Sequence, residues 1–226
     1  MTLENTFNGL VFIKKFQSRK NAVYLVERDN RRLVLKLYEN DRWNVEADVL
    51  REAAKAGIAV PQIVEMREKA ILMEFIPGRS ANDYLETGGM EEMALGVADW
   101  LAGFHTAFGH GDLVRLKSDA IFRNFIVSDR IHGLDFELSR IGRPEEDIGE
   151  ALAYLLDTDP MFTADKFGLG RSFIERYEKE SGFVLQNIEE SIARSLREAS
   201  EFRRSPEFLI KKAAEIEADR PFTHDR

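Results

Sequence analysis

An α+β architecture is predicted for this chain, with strands gathered toward the N-terminus and helices toward the C-terminus, and three features of the sequence point to it. Short apolar runs separated by turn residues occupy the stretch up to about residue 76. Apolar residues at helical spacing dominate the last third. Between them Phe125-Ile126-Val127 and Ile131 to Leu134 flank Ser128-Asp129-Arg130, which reads as strand, turn and returning strand.

Each element follows from its own residues. Val11 to Phe16 and Ala22 to Glu27 form the first two strands. Gln17-Ser18-Arg19-Lys20-Asn21 joins them without a glycine, the residue that lets a backbone approach phosphate most closely. In Arg31-Arg32-Leu33-Val34-Leu35-Lys36-Leu37-Tyr38 a lysine is embedded among the apolar residues of a third strand. Val45, Val49 and Ala53, at four-residue spacing, mark a helix that ends at Gly57 and carries Glu46 early, where an acid also suits the helix dipole. Ala70 to Ile76 is an apolar strand broken by Pro77-Gly78. A helix that includes Leu101 ends near His105, which is expected to pack, and another opens at Asp147 with Ile148, Ala151, Leu152 and Leu155 on one face. In the last third Phe173, Ile174 and Tyr177 mark an amphipathic helix. Asn187, with Glu190 three residues on, is expected to cap a second helix whose apolar stripe is Ile188, Ile192, Leu196, Ala199 and Phe202. Ser205-Pro206 is expected to start a third, carrying Phe208, Leu209, Ala213 and Ile216.

The functional signal lies in the middle of the chain. Four residues separate Asp119 from Asn124, a gap that fits one tight loop, and the hairpin returns Asp135 beside Asn124. Carboxylate and amide oxygens are hard donors of the kind magnesium takes, with water and phosphate oxygens completing its shell. Asp119-x4-Asn124 followed by Asp135-Phe136-Glu137 resembles the catalytic loop and metal motif of the protein-kinase-like superfamily, closest to its aminoglycoside-phosphotransferase and RIO-type branches. The order of the upstream parts fits the same resemblance, which covers roughly residues 10 to 156.

The resemblance implies a bilobal protein-kinase-like fold, with an antiparallel-sheet, nucleotide-binding lobe over residues 1–76 and a mainly helical catalytic and substrate-binding lobe over 77–226. It implies ATP- and Mg-dependent transfer of a phosphoryl group to a hydroxyl, chemistry in which a protein mainly positions groups and stabilises charge. Asp119 is then the catalytic residue that orients the hydroxyl, Asn124 and Asp135 are the metal ligands, Lys36 grips phosphate, and Glu46 positions Lys36. Glu74, Phe75 and Ile76 would meet the adenine edge through backbone groups, and Asp147 would brace the catalytic loop from beneath. A small-molecule acceptor, as in aminoglycoside phosphotransferases, is the first expectation. A RIO-like serine/threonine kinase and a catalytically weak nucleotide-binding or interaction module are the alternatives.

His110-Gly111-Asp112-Leu113 competes for the catalytic position, since it also reads like the family's His-Gly-Asp loop. Eleven residues separate Asp112 from Asn124, however, which would need a seven-residue insertion in a loop whose geometry the metal fixes. Asp119 is therefore assigned the role, although Lys117-Ser118 stands where the family has His-Gly.

Composition narrows the remaining classes. A chain of 226 residues with 44% hydrophobic residues can build a sizeable core in one large domain or two small lobes. The absence of cysteine excludes a disulfide framework, a thiolate metal site and a cysteine nucleophile. A net charge of -8, from 40 acids against 32 bases, argues against a nucleic-acid partner and suits a cationic substrate. Met-Thr-Leu-Glu-Asn has no apolar signal core, and no stretch approaches the ~20 apolar residues of a membrane span, so a cytoplasmic protein is expected. There is no GxxxxGK[ST] loop, no third glycine after Gly168-Leu169-Gly170, no HExxH among the four histidines and no GxSxG elbow. Acceptor identity and oligomeric state are not specified by these residues.

Overall fold

The computed structural model describes residues 7–18, 20–87 and 89–223. Its N-terminal part is a five-stranded antiparallel sheet in the order β1-β2-β3-β5-β4, built from β1 (Val11–Phe16), β2 (Ala22–Arg28), β3 (Arg31–Leu37), β4 (Ile63–Arg67) and β5 (Ala70–Glu74). Helix α1 (Trp43–Lys55) crosses between β3 and β4. Strand alternation sets which residues face the cleft. Leu33 and Leu35 of β3 pack with Phe7, Val26, Ala70 and Leu72 on one side of the sheet. Val34 and Lys36 therefore face the other way, with Met73 opposite Val34 and Val23 opposite Lys36.

On α1 the buried stripe is Glu46, Val49, Leu50 and Ala53, and the helix stops as expected before Gly57, which takes φ +78. A carboxylate inside that stripe needs a partner, because burying an uncompensated charge is costly. Glu46 is 2% exposed, and its partner is Lys36.

After β5 the chain passes Gly78 into β6 (Arg79–Ser80), which pairs with β9 (Phe125–Val127). A Cβ on Gly78 would stand 2.1 Å from the Val127 carbonyl oxygen, so only glycine lets the crossing lie this close to β9. Next come α2 (Ala81–Thr87), α3 (Met90–Ala107), β7 (Gly109–His110) and β8 (Leu113–Leu116). The expected hairpin forms between β9 and β10 (Ile131–Gly133), and β11 (Arg140–Gly142) returns to pair with β8. Helices α4 (Pro144–Asp157), α5 (Ala164–Ser181), α6 (Ile188–Ser200) and α7 (Glu207–Asp219) complete the fold. Helix α3 packs on α5, and α6 packs on both α4 and α7. Phe125 and Phe136, either side of the hairpin, are fully buried against Trp100 and Phe104 of α3. Trp100 Nε1 also donates to the Ala59 carbonyl at 2.9 Å, tying α3 to the loop after α1.

Several local expectations change in the C-terminal third. Asn187 precedes α6 but takes φ +52 and makes no side-chain cap, so its role is a left-handed turn into the helix. Phe202 lies beyond the last turn of α6 and is 76% exposed, outside the buried stripe. Ser205 makes no side-chain cap either: Pro206 itself holds the first position before α7, and Phe208 is largely exposed while Leu209, Ala213 and Ile216 are buried. Helix α4 starts at Pro144, three residues before Asp147. Among the described residues no helix is long and apolar enough to cross a membrane.

Candidate functional site

The segment that joins β8 to β9 carries Asp119, and its backbone is held by two acids on one face of α4. Asp147 accepts the Lys117 N–H at 2.6 Å through Oδ2 and the Ser118 N–H at 2.9 Å through Oδ1. Glu150, three residues on and hence on the same face, accepts the Asp119 N–H at 2.9 Å and the Ala120 N–H at 2.6 Å through Oε2. Four successive amides thus point at two carboxylates. This anchoring explains how Ser118 and Asp119 hold φ values of +52 and +95, a region that L-residues leave unless the surroundings fix them. His105, the expected packing histidine, is fully buried and bonded as well, with Nε2 3.0 Å from Asp147 Oδ2 and Nδ1 2.8 Å from the Tyr177 hydroxyl. Burial above all, reinforced by the Asp147 charge and opposed by the Ala120 amide, pushes the Glu150 carboxyl up to about 7.

Lys117 occupies the place of the missing histidine. Its side chain is fully buried between the rings of Phe125 and Phe136, each 5.4 Å from Nζ. Nζ donates to the Asp119 carbonyl at 2.7 Å and, more weakly, to the Asp135 carbonyl at 3.4 Å. A buried cation therefore ties the loop to the segment after the hairpin. Asn124, at the end of a 3-10 turn (Phe122–Asn124), donates through Nδ2 to the same Asp119 carbonyl at 3.0 Å. Among the described residues the Asp119 carboxylate itself makes no hydrogen bond or ion pair, and it borders an open cavity.

Asp135 meets Lys36 across the cleft. Lys36 Nζ lies 2.6 Å from Asp135 Oδ1, 2.6 Å from Glu46 Oε2 and 3.8 Å from Glu137 Oε2, while the Tyr38 hydroxyl donates to Glu46 at 2.7 Å. Burial alone would lower the Lys36 pKa, but the Glu46 and Asp135 carboxylates outweigh it and hold the ammonium charged. Burial pushes Asp135 up in turn, and Lys36, aided by Lys117 and Lys20, more than offsets it, leaving the carboxyl below its ordinary range. Asp135 takes φ +61, and the fully buried Phe136 after it anchors that turn in the aromatic core.

Two cavities open from this centre. One, of about 440 Å³, is walled by Val23, Val34, Met73 and Leu134 and bordered by Lys36, Glu46, Glu74, Phe75 and Ile76. The ladder with β3 ends at Glu74, so Phe75 and Ile76 bring main-chain groups from beyond the sheet pairing to its wall. The second, of about 570 Å³, holds Asp119, Lys20, Asn21, Arg123, Glu137 and Phe202 at its edge. Gln17, Ser18, Arg123, Asn124 and Asp135 border both. The structure thus gathers Lys36, Glu46, Glu74, Phe75, Ile76, Asp119, Asn124 and Asp135 about one cleft. Asp112 sits exposed in the β7–β8 turn and lines neither cavity.

Three participants were not legible from the motif. Glu137 joins Glu46 and Asp135 in a group whose carboxylate oxygens lie within 4.8 Å of one another. Asn21 Nδ2 donates to Glu137 Oε2, which pins the glycine-free loop over the cleft, and its own Oδ1 is buried without a partner. Arg19 of that loop lies outside the described residues. Asn124, Asp135 and Glu137 offer oxygen donors only, and together with the orphaned Asn21 oxygen they fit a hard divalent cation. Glu150 is the third; its signal is the acid one helical turn beyond Asp147.

A cleft between a five-stranded sheet and a helical body, with a lysine–glutamate pair on one side and an Asp–Asn loop on the other, defines a protein-kinase-like fold. In part of its sequence and in its fold the chain is similar to known phosphotransferases and kinases. The model of the phosphotransferase enzyme family matches residues 13–116, ending before Asp119. A protein of Methanocorpusculum labreanum described as a probable bifunctional tRNA threonylcarbamoyladenosine biosynthesis protein is 31% identical over 138 residues, 61% of this chain and 24% of that one. The EKC/KEOPS complex subunit BUD32 of Encephalitozoon cuniculi is 28% identical over 144 residues, 62% of this chain and 64% of its own length. The chain therefore spans about a quarter of the first relative and under two thirds of the second. In structure it is similar to choline kinase from Cryptosporidium parvum, with a TM-score of 0.69 over 93% of this chain and 90% of that one, at 14% identity. At that identity the likeness is one of fold.

Proposed function

We propose that the protein is an ATP- and magnesium-dependent phosphotransferase that moves the γ-phosphoryl group to a hydroxyl, with residues 1–76 as its nucleotide lobe, 77–226 as its catalytic lobe, and a cytoplasmic setting. The observation that carries this reading is the convergence of Lys36, Asp135 and Glu137, with ammonium and carboxylates 2.6 to 3.8 Å apart, on a cleft that also holds Asn124 and the uncommitted Asp119 carboxylate. The apolar wall of Val23, Val34, Met73 and Leu134 suits an adenine ring, and Phe75 and Ile76 supply main-chain groups for its edge. Lys36, held by Glu46, reaches toward the phosphates; Asn124 and Asp135, with Glu137 beside them, would hold magnesium. Magnesium supplies charge neutralisation at the phosphate oxygens. Asp119 orients the acceptor hydroxyl, whose oxygen bonds to the γ-phosphorus as the bond to the β–γ bridging oxygen breaks; ADP leaves and the hydroxyl proton passes to Asp119.

A small-molecule acceptor is favoured because the site is a bounded cavity of about 570 Å³ rather than a flat surface. The sequence likeness to a protein of Archaeoglobus fulgidus described as a probable serine/threonine-protein kinase BUD32 homolog favours a second reading, a RIO-like protein serine/threonine kinase. Labelled ATP incubated first with the protein alone and then with a panel of small alcohols separates the two, since only the second reading expects label on polypeptide. In either case Asp119→Ala should lower transfer by about 10²- to 10⁴-fold with nucleotide affinity retained. Nucleotide binding with no turnover by the unaltered protein would instead support a non-catalytic module.

A further inference from the structure

The acceptor side of the cleft has a chemistry of its own. Beyond the groups already placed, the larger cavity is walled by Lys20, Ile121, Arg123, Leu138 and Phe202, and none of these is acidic. The carboxylates that do border it are engaged elsewhere: Asp135 on Lys36, and Glu137 on Asn21 and Lys36. Only Asp119 is uncommitted, and the reaction needs it. An amino-sugar or amino-alcohol cation would find no counter-ion here beyond the catalytic groups.

Arg123 is built to receive an anion. It precedes Asn124 on the 3-10 turn and borders both cavities, placing its guanidinium between the nucleotide side and the acceptor side. The guanidinium lies over the Tyr154 ring at 5.5 Å, and Nη2 donates to the Tyr154 hydroxyl at 3.3 Å. That hydroxyl in turn donates to Asn82 Oδ1 at 2.6 Å, so the platform under the arginine is itself fixed. Among the described residues Arg123 makes no ion pair, whereas Arg140, for example, pairs with Glu146. A planar fork with most of its donors unused matches phosphate or carboxylate oxygens. Lys20, also without an ion pair among the described residues, adds a second positive charge to the same wall. Apart from Asp119, the charges on this wall that no counter-ion takes up are thus positive, although the chain's net charge is -8.

We infer that the acceptor is a hydroxyl compound bearing an anionic group, phosphate or carboxylate, and that Arg123 receives this group beside Asp119. The inference deepens the phosphotransferase reading and rests on it. The test measures ADP release by the full chain at saturating ATP with three acceptor sets: glycerol 3-phosphate, glucose 6-phosphate and gluconate; glycerol, glucose and inositol; ethanolamine, choline and kanamycin. The anionic set should stimulate turnover most. For its best member, Arg123→Gln should raise the acceptor KM about tenfold or more while leaving the KM for ATP within about twofold. Arg123→Lys, which keeps the charge and loses the fork, should fall between. Preference for the cationic or neutral set overturns the proposal, as does a rise in the ATP KM in place of the acceptor KM. Acceptor-independent ATP hydrolysis with no stimulation by any set overturns it too. Failure to bind nucleotide at all would be a different result, and it would remove the phosphotransferase reading itself.

Discussion

Replacing Glu150 by glutamine tests the anchor of the loop that carries Asp119 through the dependence of stability on pH. The carboxyl is pushed from its ordinary 4.5 up to about 7, chiefly by burial and then by the charge of Asp147, even though the amides of Asp119 and Ala120 favour its ionised form. The folded chain therefore binds this proton more tightly than the unfolded chain does. Between about pH 4.5 and 7 the folded state carries more protons, so its stability falls as pH rises through that window. At 1.4 kcal/mol per pH unit the whole displacement corresponds to ~3 kcal/mol, present as a penalty above pH ~7 and absent below ~4.5. Glutamine keeps an oxygen that can accept both amides and has no charge to desolvate. Urea unfolding of the two proteins at a series of pH values should then give a difference in stability that grows in favour of Glu150→Gln by up to ~3 kcal/mol on going from pH ~4.5 to ~8, because titrations shared by both proteins cancel. A difference that stays flat with pH would refute the argument. It would mean that the four amides of residues 117–120 satisfy the two carboxylates fully and leave no net cost to ionisation.

Other changes probe the rest of the cleft. Lys36→Met leaves Glu46, 2% exposed, without its counter-charge, and should destabilise the protein by about 3–5 kcal/mol, with the double change Lys36→Met and Glu46→Gln recovering much of that in thermal unfolding. Lys117→Met keeps the stem between Phe125 and Phe136 but loses the bonds to the Asp119 and Asp135 carbonyls; kcat should fall about tenfold or more with the KM for ATP little changed, and an unchanged kcat would remove Lys117 from the positioning of the loop. Asp112→Asn, in an exposed turn, should leave both stability and turnover within about 0.5 kcal/mol of the original, and a loss comparable to that of Asp119→Ala would reverse the assignment of the base.

The N-terminal elements were legible because each depends on a short-range pattern. The embedded lysine of β3, the stripe of α1 with an acid inside it, and the apolar strand stopped by Pro77-Gly78 all lie where periodicity puts them. Spacing favours Asp119 over Asp112, and the β7–β8 hairpin leaves Asp112 in solvent while Asp119 borders the cleft. What local pattern could not supply were the partners set by tertiary contact. Glu137 meets Asn21 across 116 positions of sequence, and nothing in Gln17-Ser18-Arg19-Lys20-Asn21 alone announces it. Phe202 continued the stripe of α6 on paper, but that helix stops at Ser200, so the ring turns toward the cleft mouth instead. Asn187 looked like a cap by residue type, yet its positive φ serves the turn and its side chain makes no bond to the helix start.

The two departures from the pattern of the family the chain resembles become intelligible once their contacts are compared. A glycine-free loop cannot lie as close to phosphate as a glycine-rich one, but here Asn21 fastens it to Glu137, so the loop's position over the cleft is set by a side chain rather than by backbone freedom. A lysine in the histidine position brings a full positive charge into the core, which would be costly if unpaired. Lys117 spends that charge on two main-chain carbonyls and two aromatic faces, with the carboxylate of Asp135 close enough to feel it. Both substitutions exchange a conformational device for an electrostatic tie, and both ties end on the Asp135-Phe136-Glu137 segment. The cleft should accordingly be more sensitive to changes at Asp135 and Glu137 than to changes in the loop residues Gln17 and Ser18, which border both cavities without holding that segment.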